Sequence, residues 1–349
     1  MSMICVPLTG LDTEATLASL KKAAEVADLV EIRLDLMREY DLSRLLTNRP
    51  CPVIVTNRPV REGGRYSGDE EKRVMPLREA IRLGADYVDI EHDSTHFIRD
   101  RQKTKLIVSY HNFQETPRDL IQIQAKLKAY GADIVKVAVW AKDTLDNLIV
   151  FDMLRRCDVP TIALCMGELG LMSRVLSPKF GSFLTFASLD EGTGSAPGQI
   201  TAQKMLHLYH TNLINEDTKV YGLIGDSITH SPLISAFNAA FYEYRLNARY
   251  LPFPVSCSLK KLVRAFKAIE VGGYSVLPPY QEAALKAVEA LHSSAESARK
   301  VDTIVNQDGQ LEGYALGREG FSEMIAMQFR LWMGIDAPVE LINGILNSS

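Results

Sequence analysis

The chain has 349 residues, of which 46% are hydrophobic and 23% charged, with a formal net charge of −4. That length suits two domains of a soluble globular protein, and the charge gives no basic footprint for nucleic acid or an anionic membrane. Five scattered cysteines without a CxxC pair and seven histidines without HExxH point to a reducing cytoplasm and argue against a zinc site or any metal enzyme.

The opening MSMICVPLTG lacks the basic and long apolar regions of a signal peptide, and no apolar run approaches the roughly 18–20 residues that span a bilayer. Short β-rich runs follow in order: ICVPL (4–8), LVEIRL (29–34), VIVTN (53–57), YVDIE (87–91), LIVSYH (106–111), DIVKVAV (133–139), TIALCM (161–166) and FLTFA (183–187). Most are separated by stretches of helical period, such as EEKRVMPLREAIRLG and PRDLIQIQAKLKAYG. The alternation predicts a parallel sheet, and eight such units in about 200 residues predict a (β/α)8 barrel, α/β in class. The barrel is expected over 1–212, closed by a helix at 199–210, with a polar linker at 213–219 inside TNLINEDTK.

A smaller α/β pattern occupies 220–349. It reads as VYGLIG, a helix near 232–245, YLPFPV, a helix over 258–270, YSVL, and a helix over 281–292. DTIVNQDGQLEGYAL then predicts a hairpin, and a helix follows near 319–333. FSEMIAMQFRLWMGI is apolar enough either to fold back on this domain or to form a partner surface, and a buried helix is the plainer expectation.

In a barrel, the C-terminal ends of the strands face the active-site mouth. Those ends carry Glu31, Arg33 and Asp35, then Arg58 and Glu62, then Glu91, His111, Lys136 and Arg174. Lys136 lies inside DIVKVAV between β-branched residues, so its side chain enters either the barrel interior or the helix layer. Desolvation there favours a neutral amine, which can attack a ketone and form an imine. A lysine reaching out between helices, or paired with a carboxylate, is the alternative for Lys136 alone. His111 ends the preceding strand and can shuttle protons beside an imine at neutral pH, with Glu62 available to orient it. Arg33, Arg58 and Arg174 suit an anionic, oxygen-rich substrate. EGTGSAPGQ (191–199) is a lid or a simple loop, and Pro197 in the third glycine position opposes a dinucleotide reading.

The segments EIRLD, TNRPVREGG, SYHNF…TP, GADIVKVAV, MGELGLMSR, FGSFLTFAS and SAPGQI run in order across residues 3–205. Together they resemble type I 3-dehydroquinate dehydratase, the Schiff-base enzyme of the shikimate pathway in aromatic amino-acid biosynthesis. The resemblance implies that Lys136 forms an imine with 3-dehydroquinate. It implies that His111 removes the adjacent proton and protonates the leaving hydroxyl, with Glu62 in support. Glu31, Arg33, Arg58, Arg174, Ser195 and Gln199 would hold the ring hydroxyls and carboxylate, between walls formed by Met166 and Phe186. The implied reaction is syn loss of water giving 3-dehydroshikimate, with no metal or nucleotide cofactor, in a homodimer.

GLIGDSITHS…NAAF and GGYSVLPPYQEA resemble the N-terminal substrate-binding domain of shikimate dehydrogenase. In the family pattern G-x-N-V-T-x-P-x-K-E the asparagine becomes Ser275, the threonine Leu277 and the catalytic lysine Gln281. In the later segments an asparagine becomes Asp302, and N-T-D-G becomes Ala315, Leu316, Gly317 and Arg318. Ser231 survives from the opening serine pair, whose second member is Leu233. The lost lysine–aspartate relay implies a pseudo-dehydrogenase domain, expected without a Rossmann domain and serving either as a packing or dimerisation partner or as a site for a different, more apolar ligand. The competing readings are a bifunctional dehydratase–dehydrogenase whose NADP domain is missing, a non-catalytic metabolite-binding or scaffold protein, and a class I aldolase. The arginine set and the SAPGQ segment favour the dehydratase over the aldolase.

Overall fold

The computed structural model describes residues 2–317 and 320–348. Each of the eight β-rich runs is a strand: β1 Met3–Leu8, β2 Leu29–Arg33, β3 Val53–Thr56, β4 Tyr87–Glu91, β5 Lys105–Asn112, β6 Ile134–Trp140, β7 Thr161–Met166 and β8 Leu184–Phe186. They form one parallel sheet in the order β7-β6-β5-β4-β3-β2-β1-β8. Its two ends meet where the Phe183 N–H donates to the Thr161 carbonyl at 2.8 Å. The result is a nearly closed eight-stranded barrel. All residues of β2, β3 and β7 are buried, as expected of strands covered on both faces.

Side chains two apart on a strand share a face, and that period stacks the barrel interior in layers. Leu29, Ile54, Ile107, Ile134, Ile162 and Leu184 form an apolar floor. Two residues further along the same strands come Glu31, Thr56, Ser109, Lys136, Leu164 and Phe186. The interior therefore changes from hydrocarbon to charge within one step of the pleat. The helix predicted over 199–210 is shorter, Ala202–His207. Its first residues are held extended instead, because the Ser188 N–H donates to the Ile200 carbonyl and the Ala202 N–H to that of Ser188.

The chain divides into two units, Met1–Lys142 with Ile149–His207, and Asp143–Leu148 with Leu208–Ser349. The second contains a six-stranded sheet built from β9 Lys219–Gly225, β10 Ala248–Pro254, β11 Gly273–Val276, β12 Ala290–Leu291, β13 Thr303–Gln307 and β14 Gln310–Tyr314, in the order β10-β9-β11-β13-β14-β12. β13 and β14 are the predicted hairpin. Asp308 and Gly309 at its tip both have positive φ, 50° and 90°, as a two-residue turn matched to strand twist requires.

The helix predicted over 281–292 stops at Ala284. The chain beyond it turns out to the sheet edge, where Glu289 N–H donates to the Leu311 carbonyl and His292 N–H to that of Gly313. Pairing with β14 outweighs the helix propensity of QEAALKAVEAL. The helix Phe321–Met333 docks its Trp332 against Tyr221 and Phe237, with ring centroids 5.0 and 5.3 Å apart. A further helix, Val339–Ser348, ends the described chain. Among the described residues no helix is long and apolar enough to cross a membrane.

Candidate active site

One cavity opens above the charged layer of the barrel. It is lined by Glu31, Arg33, Arg58, Glu62, His111, Lys136, Met166, Arg174, Phe186, Ser195 and Gln199, which are the barrel residues expected from the sequence. Gly63, Phe113, Ala138, Leu164 and Ala196 complete the lining.

Lys136 is neither unpaired nor reaching outward. Its Nζ donates to Asp89 Oδ2 at 2.7 Å and lies 3.4 Å from Glu31 Oε1, with the Phe186 ring centroid at 4.3 Å. Desolvation of a lone lysine was thus an incomplete account, because two carboxylates share its burial. Asp89 is the residue the sequence reading passed over. It is buried, accepts from Ser109 Oγ at 2.7 Å and pairs with Arg58 Nη2 at 2.8 Å. The signal was present in YVDIE, where Asp89 and Glu91 lie two apart and so share the interior face. Burial disfavours the charge on Asp89, but Arg58 and Lys136 outweigh it and hold the carboxyl low. Burial likewise opposes the Arg58 charge, and Asp89, Glu91 and Glu31 more than offset it.

At the rim, His111 Nδ1 lies 2.9 Å from Glu62 Oε2, and the same oxygen accepts from the His111 backbone N–H at 3.2 Å. Glu62 is placed by a single 3-10 turn, Val60–Glu62, that ends on Gly63 at φ 77°. That positive φ favours glycine, and a Cβ there would also displace the exposed Phe113 ring, which it would meet at 2.1 Å. Burial pushes the Glu62 carboxyl up to about 8. Arg58 pulls it down, while Glu91, Asp93 and Asp89 push it further up. Burial, reinforced by Arg58 and Lys136, holds His111 well below its ordinary value. At neutral pH the imidazole is therefore uncharged and able to accept a proton, while Glu62 is largely protonated.

The Glu62 shift has a consequence for stability. The folded protein binds this proton more tightly than the unfolded chain, whose carboxyl titrates near 4.5. The stability Glu62 contributes is full below about pH 4.5 and is lost as pH rises through about 8. Glu62→Gln should flatten that decline and be more stable than the parent above pH 8, by on the order of 2–3 kcal/mol after allowing for solvent access. Urea unfolding of both proteins at pH 5 and pH 9 is the measurement; a difference that does not change with pH would refute the assignment.

The three arginines differ in their partners. Arg33 is neutralised by Asp35 through two bonds of 2.9 and 2.8 Å, and Arg58 by Asp89 and Glu91. Arg174 is buried and, among the described residues, has no carboxylate partner. Its Nη atoms reach only the Phe186 and Pro197 carbonyls, at 3.4 and 3.2 Å, and its Nε is buried without a hydrogen bond. Burial lowers its pKa to about 10. Gln199 Oε1 accepts from the Ser195 N–H at 2.8 Å, a bond internal to the loop that brings both residues into the cavity lining.

The residues singled out in the second unit are engaged within it. Ser231 caps the helix Pro232–Glu243, and Leu233 is buried behind it. Ser275 accepts from Tyr250 Oη at 2.6 Å and donates to Gln328 Oε1 at 2.7 Å. Gln281 Nε2 turns back to the Val276 carbonyl at 3.0 Å. Asp302 accepts the backbone N–H groups of Leu316 and Gly317, each at 3.0 Å, and Gly317 has φ 52°. Arg318 lies outside the described residues. The topological switch point lies between β9 and β11, where ligands bind in open α/β sheets. There a Cβ on Gly225 would meet Ile228 Cγ2 at 2.9 Å and Leu277 Cβ at 3.5 Å, so apolar side chains close over the strand end. Among the described residues no group of three or more His, Cys, Asp or Glu is placed to hold a metal.

Residues 4–216 match the family model "Type I 3-dehydroquinase", and residues 223–304 match "Shikimate dehydrogenase substrate binding domain". The chain is 41% identical over 328 residues to the bifunctional 3-dehydroquinate dehydratase/shikimate dehydrogenase, chloroplastic, of Arabidopsis thaliana, covering 90% of this chain and 54% of that protein. It is 36% identical over 212 residues to the 3-dehydroquinate dehydratase of Methanococcus maripaludis, covering 58% of this chain and 96% of the relative. The crystal structure of 3-dehydroquinate dehydratase from Geobacillus kaustophilus superposes with a TM-score of 0.52 at 32% identity, over 60% of this chain and 92% of that one. The chain thus spans about half the length of the Arabidopsis relative.

Proposed function

The chain belongs to the type I 3-dehydroquinase family through its barrel, and from that premise we propose that it dehydrates 3-dehydroquinate by imine chemistry at Lys136. The observation that carries this reading is a buried lysine on its carboxylates, set in one cavity with a neutral histidine–glutamate pair. The Lys136 amine adds to the substrate ketone, and loss of water leaves an iminium. His111, uncharged at neutral pH, takes the proton from the adjacent carbon. Its electron pair flows towards the nitrogen and returns to expel the hydroxyl, which leaves as water with the proton held by His111. Hydrolysis of the remaining imine returns Lys136 and releases 3-dehydroshikimate. Arg174, which has no carboxylate partner among the described residues, is assigned to that of the substrate, and Met166 and Phe186 to the apolar face of the ring.

The second unit is assigned no dehydrogenase chemistry. Gln281 cannot carry a proton as an amine does, Gly317 offers no carboxylate, and Ser275 and Asp302 are committed to internal bonds. The bifunctional Arabidopsis relative favours the opposite reading, so both activities belong in one test. The purified chain, given 3-dehydroquinate, should develop the ultraviolet absorbance of the conjugated enone. With shikimate and NADP it should produce no NADPH. Absence of enone formation by folded protein would remove the dehydratase reading, and NADPH formation would remove the inert-domain reading.

A further inference from the structure

The charges that meet Lys136 continue outward beyond the cavity. Arg73 lies near the start of the helix Glu70–Arg82; it is fully buried and is not among the residues lining the cavity. Its Nη2 lies 2.6 Å from Glu91 Oε2. That oxygen has no hydrogen-bond partner among the described residues, so Arg73 meets it as a counter-charge. The other Glu91 oxygen accepts from Arg58 Nη1 at 2.5 Å. Arg58 Nη2 lies 2.8 Å from Asp89 Oδ2, and the same oxygen accepts from Lys136 Nζ at 2.7 Å. Signs therefore alternate without a gap from Arg73 to Lys136. Arg73 also reaches the backbone of this series, because its Nη1 donates at 2.6 Å to the carbonyl of Asn57, the residue before Arg58.

Arg58 stands between two carboxylates and can neutralise only one. With Arg73 opposite Glu91, the three carboxylates Glu31, Asp89 and Glu91 are matched by the three cations Arg58, Arg73 and Lys136. Without Arg73 the layer would hold one uncompensated negative charge, which burial leaves poorly screened. We propose that Arg73 is a positioning residue that governs how readily Lys136 releases its proton, acting through Glu91, Arg58 and Asp89; the inference rests on the dehydratase reading above. The imine forms only from the neutral amine. An uncompensated carboxylate in the series holds the proton on Lys136, and an uncompensated cation releases it. The other titratable groups near Lys136 are Cys5 on β1, whose thiol burial pushes well up, and His111 at the end of β5, which burial keeps uncharged. β7 and β8 present Leu164 and Phe186, and Arg33, Glu62 and Arg174 line the same cavity.

The test titrates Lys136 in the full chain. Acetic anhydride acetylates only a neutral amine, so the initial acetylation of Lys136 against pH, read by peptide mass relative to a free amine standard, follows the loss of its proton. The acid limb of kcat/KM for 3-dehydroquinate is measured beside it. Arg73→Met should move both to higher pH by about half to one unit, and Glu91→Gln should move both to lower pH. The two substitutions combined should coincide with the parent, as should Arg73→Lys, which keeps the charge. In the single variants no buried ion is orphaned, since Glu91 retains Arg58 and Arg73 retains Glu70, each at 2.5 Å. Should Arg73→Met fail to fold, the downward shift of Glu91→Gln decides alone. A fall in kcat/KM at every pH with both profiles unmoved, or shifts of one sign in the two single variants, would reduce Arg73 to a support for its helix. A parent that does not turn over, while acetylation of Lys136 still shifts as described, would remove the dehydratase reading and leave the charge coupling standing.

Discussion

Lys136→Ala is expected to leave a folded protein that no longer forms a borohydride-stable adduct with 3-dehydroquinate, with kcat lower by at least about 10⁴-fold, since loss of a covalent nucleophile removes the pathway and not one contact within it. The fold should survive because Asp89 is not orphaned. It keeps Arg58 at 2.8 Å and Ser109 at 2.7 Å, so the charge uncovered by removing the ammonium still has a partner. That separates this substitution from the usual removal of one member of a buried ion pair, which costs about 3–5 kcal/mol. Intact-mass analysis after reduction, beside circular dichroism, makes the measurement. A substrate-sized adduct on the variant would move the imine to another lysine and end the role assigned to Lys136.

The barrel was legible because a parallel strand covered on both faces must be apolar almost throughout, and eight such runs at βα spacing leave few alternatives. The charged layer was legible for the converse reason. A lysine inside DIVKVAV or a glutamate inside LVEIRL has no place in a packing core, so each marked the point where hydrocarbon gives way to the cavity. Asp89 escaped because it precedes the strand-end Glu91 and reads as its echo. Registering β4 against β5 and β6 sets Glu91, not Asp89, opposite Ser109 and Lys136, and Asp89 joins them only through side-chain bonds across that step, at 2.7 Å to each. The second unit shows the limit of periodicity. The stretch at 281–292 has the apolar spacing of a helix, yet the free edge of β14 offers backbone donors and acceptors that the chain takes up instead. Local pattern ranks the local alternatives; an unpaired strand edge elsewhere is not among them.

Arg174 links stability to binding in a way that yields the other large effect. A guanidinium buried without a counter-charge is costly, and the fall of its pKa to about 10 reflects that desolvation. The carbonyls of Phe186 and Pro197 offset only part of it, at 3.4 and 3.2 Å. Arg174→Met fills a similar volume without charge, so it should raise the stability of the ligand-free protein by about 1–3 kcal/mol. The same change should lower kcat/KM by about 30-fold to several thousand-fold, the 2–5 kcal/mol lost when one partner of a buried charge pair is removed. Substrate-induced thermal stabilisation, present in the parent through mass action, should disappear together with kcat/KM. A variant that is both destabilised and catalytically crippled would mean that Arg174 supports the loop through Pro197 and does not meet the carboxylate. If instead the gain in stability and the loss of binding appear together, the cost of an unpaired cation is retained in the empty site because the substrate anion removes it, and part of the affinity is that cost returned.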